Sequence, residues 1–147
     1  MSGLRDLPVQ RHPGGGALRH EHLSRSSLAF ADPVLLDDVL RDFPRLDIVL
    51  ANGGRGWRYD AAAFLATAFD HVWIELSGLP PSPLRDYYAK HNWNRLARKM
   101  IFGTDWPGIP GIATNARAIA ALCPDELTAD LVLSGNAARV YNLKPES

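Results

Sequence analysis

Apolar runs that stop at a polar residue and give way to a loop recur along this chain, with helical spacing between them. The runs are Leu7–Arg11, Asp47–Ala51, Val72–Leu76 and Met100–Gly103. Strands that alternate with helices of this length predict an α/β fold with a parallel sheet and helices packed on it. Leu7–Arg11, Asp47–Ala51, Val72–Leu76 and Met100–Gly103 should then be adjacent and in sequence order. In such sheets chemistry gathers where strands end and helices begin. The candidate residues are therefore the strand tips: His12, Asn52, the Glu75–Ser77 stretch and Asp105.

The intervening segments carry helix signals. Asp32 is a capping residue and Pro33 suits a first turn, with Leu36, Leu40 and Phe43 forming an apolar stripe. Asp60 is expected to cap "AAAFLATAF", with Phe64, Leu65 and Ala68 on one face. "LRDYYAKHNWNRLARK" reads as a broken helix. "TNARAIAAL", "DELTADLVL" and "GNAARVYNL" read as three further helices. With 147 residues and 46% hydrophobic content, the expectation is one domain over 1–147, with disordered tails at 1–6 and 144–147.

Composition narrows the function. The formal net charge is zero, which argues against a nucleic-acid binder. No apolar run approaches a membrane span, and the first residues lack a signal-peptide core, so a cytoplasmic protein is expected. A single cysteine, Cys123, excludes an internal disulfide and reads as a structural thiol.

At the tips, the residue types admit more than one role. Asp105, in "IFGTDWPG", can bind a metal or act as a general base; it can also cap the turn before Pro107. Arg55 can grip a substrate carboxylate bidentately or lie free on a loop. Glu75 and Ser77 flank Leu76 and share a face. Trp57 and Trp106 are candidate walls of an organic-substrate pocket, and Trp73 suits core packing. His71 begins a strand away from the tips and His91 lies in a polar stretch, so both read as surface residues.

"FPRLDIVLANGGRGWRYD", "VWIELSGLPP", "KMIFGTDWPGIPG" and "LSGNAARVYNL", in this order, resemble the C-terminal half of amidohydrolase-related metal hydrolases and decarboxylases, the relatives of aminocarboxymuconate-semialdehyde decarboxylase. The resemblance runs from about Leu7 onward. It implies about four C-terminal βα units of a TIM barrel, and a divalent metal, commonly zinc, at the mouth. His12 then matches a metal-binding histidine and Asp105 the metal-binding aspartate, which also accepts a proton. Asn52 falls where the family places a second, proton-handling histidine. Arg55, Trp57 and Trp106 become substrate-binding candidates for a small organic molecule.

Two departures qualify what the resemblance implies. An asparagine amide hydrogen-bonds but does not titrate near neutral pH, so Asn52 cannot take and return a proton. The first-strand H-x-H pair has no counterpart, and a TIM barrel typically takes about 250 residues. "HEH" at His20–His22 invites use as a substitute, but it reads more simply as a solvated loop. The expectation is a metal-dependent hydrolase, truncated and impaired, with metal weak or absent in this chain alone. The alternatives are nonoxidative decarboxylation of an aromatic or unsaturated acid, and a non-catalytic half-barrel that binds a ligand or partner. Open sheet edges invite a homodimer or a separate N-terminal half that completes the barrel; an incorrectly chosen start codon would account for the same sequence. Gly53 and Gly54 are expected to leave room beside Asn52 for a ring and a substrate.

Overall fold

The computed structural model describes residues 31–107 and 111–143. The chain divides into two units, Met1–Ala31 and Asp32–Ser147, and the second is described here by itself. The expected first strand, Leu7–Arg11, and with it His12, His20 and His22, lies outside the described residues.

Three strands form a parallel sheet in sequence order: β1 (Ile48–Leu50), β2 (Val72–Glu75) and β3 (Met100–Ile101). They are shorter than the apolar runs predicted, because the terminal residues of each run turn away to form the tips. Register pairs Leu50 with Ile74 and Ile74 with Met100, and Glu75 with Ile101. Alternation of side chains sorts the sheet into two faces. Leu50, Val72, Ile74 and Met100 join the main core with Ala62, Ala63 and Ala66. Trp73, Glu75 and Ile101 occupy the opposite face. Trp73 is nevertheless buried, with Lys99 Nζ 4.2 Å and the Arg139 guanidinium 5.2 Å from its ring. A strand buried on both faces reads as a continuous apolar run, as "VWI" does.

Helices fill the connections. Asp32 caps a 3-10 turn, Pro33–Leu36, by accepting the Val34 N–H at 3.1 Å. α1 (Asp37–Asp42) follows; it buries Leu40, but Phe43 is exposed because the helix has ended there. α2 (Tyr59–Ala68) buries Ala62, Ala63, Leu65 and Ala66. Phe64 and Ala68, predicted on that face, are exposed: small alanines let the helix lie close to β2, and the face rotates to use them. Asp60 is not the cap either. It lies inside the first turn and meets Lys90 Nζ at 2.6 Å and His91 Nε2 at 3.3 Å.

The broken helix appears as α3 (Leu84–Tyr87) and α4 (Trp93–Ala97), the latter capped by Asn92. α5 spans Ile112–Leu122. The last two predicted helices are one continuous rod, α6 (Glu126–Asp130), a π turn at Leu131–Gly135, and α7 (Asn136–Val140). Gly135 does not break it, having helical φ −60°. This rod covers the outer edge of β3. Phe102 N–H donates to Val132 O at 2.8 Å, and Asn136 Nδ2 donates to Met100 O at 2.8 Å and Arg98 O at 3.1 Å. The edge expected to stand open is thus hydrogen-bonded by the chain's own helix. Among the described residues no helix is long and apolar enough to cross a membrane.

Candidate functional site

Parallel strands in one sheet put their C-terminal ends on one rim. β1 runs into a left-handed turn: Asn52 has φ 57° and Gly53 φ 58°, followed by Gly54 at φ 81°. Asp105 beyond β3 is also left-handed, at φ 58°, before a cis Trp106–Pro107 bond. Asparagine and aspartate tolerate this region better than other side chains. Non-glycine residues held there cluster at functional sites.

Glycines let the tips converge. A Cβ on Gly78 (φ +66°) would run into Arg55 Nη2, and would lie 2.9 Å from Asp105 Oδ2 and 3.1 Å from Asn52 Oδ1. Side chains from the loops after β1 (Asn52 and Arg55) and β3 (Asp105) therefore meet over the backbone of Gly78 in the loop after β2. Arg55 is held there by donating from Nη2 to Gly78 O at 2.7 Å. Sequence reasoning found all three residues but had no signal for Gly78, which is where they meet.

Gly53 and Gly54 do not open the space beside Asn52. A Cβ on Gly53 would meet the Tyr88 hydroxyl, with Leu79 Cδ1 at 3.0 Å and Ile74 Cγ2 at 3.2 Å; one on Gly54 would meet Ala62 Cβ at 2.9 Å. Both glycines are there for close packing. The buried Tyr88 hydroxyl donates to Gly53 O at 2.6 Å, and burial pushes its pKa up, keeping it a donor.

Glu75 joins the tips on the sheet face opposite the main core. Its Oε2 accepts from Asn52 N–H at 3.2 Å and from Ser77 Oγ at 2.6 Å; its Oε1 accepts from Ser77 N–H at 2.8 Å.

The aromatic candidates separate. Trp57 is 67% exposed, with the Arg58 guanidinium 4.2 Å from its ring. It lines an open cleft of about 260 Å³ with Tyr59, Asp60, Asp86, Tyr87 and Lys90, where Tyr59 and Tyr87 stack at 4.5 Å. Trp106 is 69% exposed and does not line that cleft. His71, at the other end of β2, has a buried Nε2 that finds no hydrogen-bond partner among the described residues. Cys123 is half-buried, and burial raises its thiol pKa.

An amidohydrolase family model matches residues 4–143. The chain belongs to the amidohydrolase family. The apo crystal structure of an Agrobacterium tumefaciens protein matches with TM-score 0.53 at 22% identity, over 78% of this chain and 49% of that one. This amidohydrolase chain therefore spans about half the length of that structure, and the likeness is one of fold. Among curated proteins nothing matches it.

The superfamily generally uses divalent metals. Among the described residues, no group of three or more His, Cys, Asp or Glu could hold one. Glu75 has both oxygens taken by donors, and Asp105 shares the space over Gly78 with the cationic end of Arg55. A catalytic zinc normally has three protein ligands. The described donor set by itself does not fit a metal; His12, the other ligand that the sequence resemblance implies, lies outside the described residues.

Proposed function

We propose that this chain supplies the substrate-anchoring rim of an amidohydrolase-type hydrolase acting on a small organic carboxylate. The supporting observation is the meeting of Arg55, Asn52 and Asp105 over Gly78. Arg55 would bind the carboxylate, since a guanidinium fork matches it in shape and charge. Asn52 Oδ1 would accept a hydrogen bond from the substrate and orient it. Asp105 Oδ2 would take the proton released when water attacks a C–N, C–O or C–C centre. Trp57 and Trp106, both exposed on the rim loops, would flank an organic substituent.

Activity in this reading needs the groups that the described residues lack. They would come from His12 and from four further βα units bearing an H-x-H pair, in a longer chain or a separate chain; a second copy would complete the strands without adding that pair. Work on a metabolite suits a cytoplasmic setting. A decarboxylase of aromatic or unsaturated acids would use the same Arg55 anchor. A non-catalytic, ligand-binding half-barrel is the second reading; Asn52, which cannot shuttle protons, favours it.

The test mixes this chain with a recombinant N-terminal half and assays carboxylate-bearing amides and lactones for hydrolysis and aromatic acids for CO₂ release. Hydrolysis that disappears in Arg55→Met supports the proposal, and CO₂ release alone moves the assignment to the decarboxylase. Binding of carboxylates without turnover moves it to the ligand-binding half-barrel. Turnover indifferent to Arg55→Met sinks the anchoring role.

A further inference from the structure

We propose that Glu75 is the positioning residue of this site, holding the Asn52 turn in register with Asp105; the proposal rests on reading the cluster over Gly78 as the ligand site. Glu75 closes β2 and is paired in register with Ile101 of β3. Its carboxylate accepts from the backbone of Asn52 across the gap to β1, and from both the N–H and the hydroxyl of Ser77, two residues past the end of its own strand. On the other side it lies against the tip of β3: a Cβ on Gly103 would run into Oε1, and would lie 3.1 Å from Ser77 Cβ. One side chain thus touches all three strand tips, two residues short of Asp105 at the third.

The geometry favours holding over chemistry. Three donors already occupy the two oxygens of Glu75, so it has little capacity left to take a proton from substrate. The bond it makes to Asn52 matters because Asn52 is left-handed at φ 57°. Such a conformation persists only where surrounding contacts over-determine it. Glu75 holds the turn at the Asn52 N–H, and Tyr88 holds it at Gly53 O two peptides further on. Together they fix where Asn52 Oδ1 points. Gly103 completes the arrangement by leaving the space that the carboxylate fills.

Glu75→Gln keeps the size of the side chain but turns an amide NH₂ toward the N–H of Asn52 or Ser77. The probe is acetate, titrated by NMR shift changes, alongside amide hydrogen exchange. Exchange at Asn52 should quicken by at least about tenfold, and acetate should bind about tenfold more weakly, on the scale of one charge-assisted hydrogen bond. Protection at Val72–Ile74 should stay as in the parent chain, which a general loss of structure would not allow. Arg55→Met should lose acetate with Asn52 exchange unchanged. If Arg55→Met loses acetate while Glu75→Gln changes neither readout, the ligand site stands and the positioning role is overturned. If the parent chain does not bind acetate yet Asn52 exchange quickens in Glu75→Gln, the ligand-site reading fails and the hold on Asn52 is upheld. Should Glu75→Gln fail to fold, Gly103→Ala decides, since it displaces the carboxylate without removing any hydrogen-bonding group from the chain: unchanged Asn52 exchange there overturns the proposal.

Discussion

Asn52 sits at φ 57°, ψ 20°, a region where histidine is also among the less penalised side chains. Asn52→His is therefore compatible with the turn, and it would restore a titratable ring at the rim. In the mixture with an N-terminal half bearing H-x-H, we expect Asn52→His to raise turnover at least about tenfold, a modest share of what a positioned general base contributes. It should also introduce a pH dependence near the histidine range. An asparagine form that is already as fast would make Asn52 an adapted residue of another mechanism. Gly78 gives the complementary test. Gly78→Ala places a methyl where Arg55 Nη2 lies, in a backbone with φ +66°. Destabilisation of about 1–3 kcal/mol is expected from the strained backbone alone, read by urea unfolding, together with loss of carboxylate binding. Full retention of both would mean that Arg55 does not work from this position.

Among the elements, α2 and the segment between α3 and α4 are tied by Asp60. Its hydrogen bond to Lys90 Nζ, helped by the charge of Lys90 and by His91, holds the Asp60 carboxyl below the ordinary range; the same partner raises Lys90. A depressed carboxyl contributes stability that is present above its unfolded pKa and lost as pH falls through the folded one. A raised lysine contributes stability present below its unfolded pKa and lost as pH rises through the folded one. The pair should therefore help between the two limbs, and its acid limb should fall below about pH 4. Asp60→Asn is expected to flatten part of the decline in melting temperature on acidification, with only a small change at neutral pH, since these side chains face solvent. An unchanged acid limb would show that the contact contributes nothing measurable.

At the scale of the whole molecule, the C-terminal rod and the sheet edge form one unit. Asn136, 4% exposed, carries the carbonyls of Arg98 and Met100 that a neighbouring strand would otherwise take. Asn136→Leu fills similar space and leaves both without that donor. A loss of about 1–3 kcal/mol in urea unfolding is expected, with parent-like stability as the contrary result. Any half that completes a barrel by strand pairing at β3 must displace these bonds. The donor set makes a further statement at this scale. Chain purified without added metal should carry well under one zinc per molecule, because an incomplete shell leaves the ion labile. Stoichiometric zinc that survives dialysis against a chelator would direct mutation to His12, His20 and His22.

The sequence by itself determined the order and parallel sense of β1, β2 and β3, the Asp32 cap, and the identity of Asn52, Arg55 and Asp105 as rim residues. Each is legible because it depends on local pattern: an apolar run, a capping residue, a polar tip. Helix faces were less legible. Phe64 looks like a core residue from hydrophobicity, yet close packing against β2 favours Ala62, Ala63 and Ala66. Asp60 looks like a cap from its spacing, and only the fold brings Lys90 and His91 to it. The roles of Gly53, Gly78 and Gly103 were hidden for the same reason. A glycine in sequence signals freedom of the backbone, whereas here the absent Cβ makes space for Tyr88, Arg55 and Glu75, which arrive from other parts of the chain. Tertiary structure decided these contacts because they join residues far apart in sequence, and no local periodicity encodes which distant side chain fills a given gap.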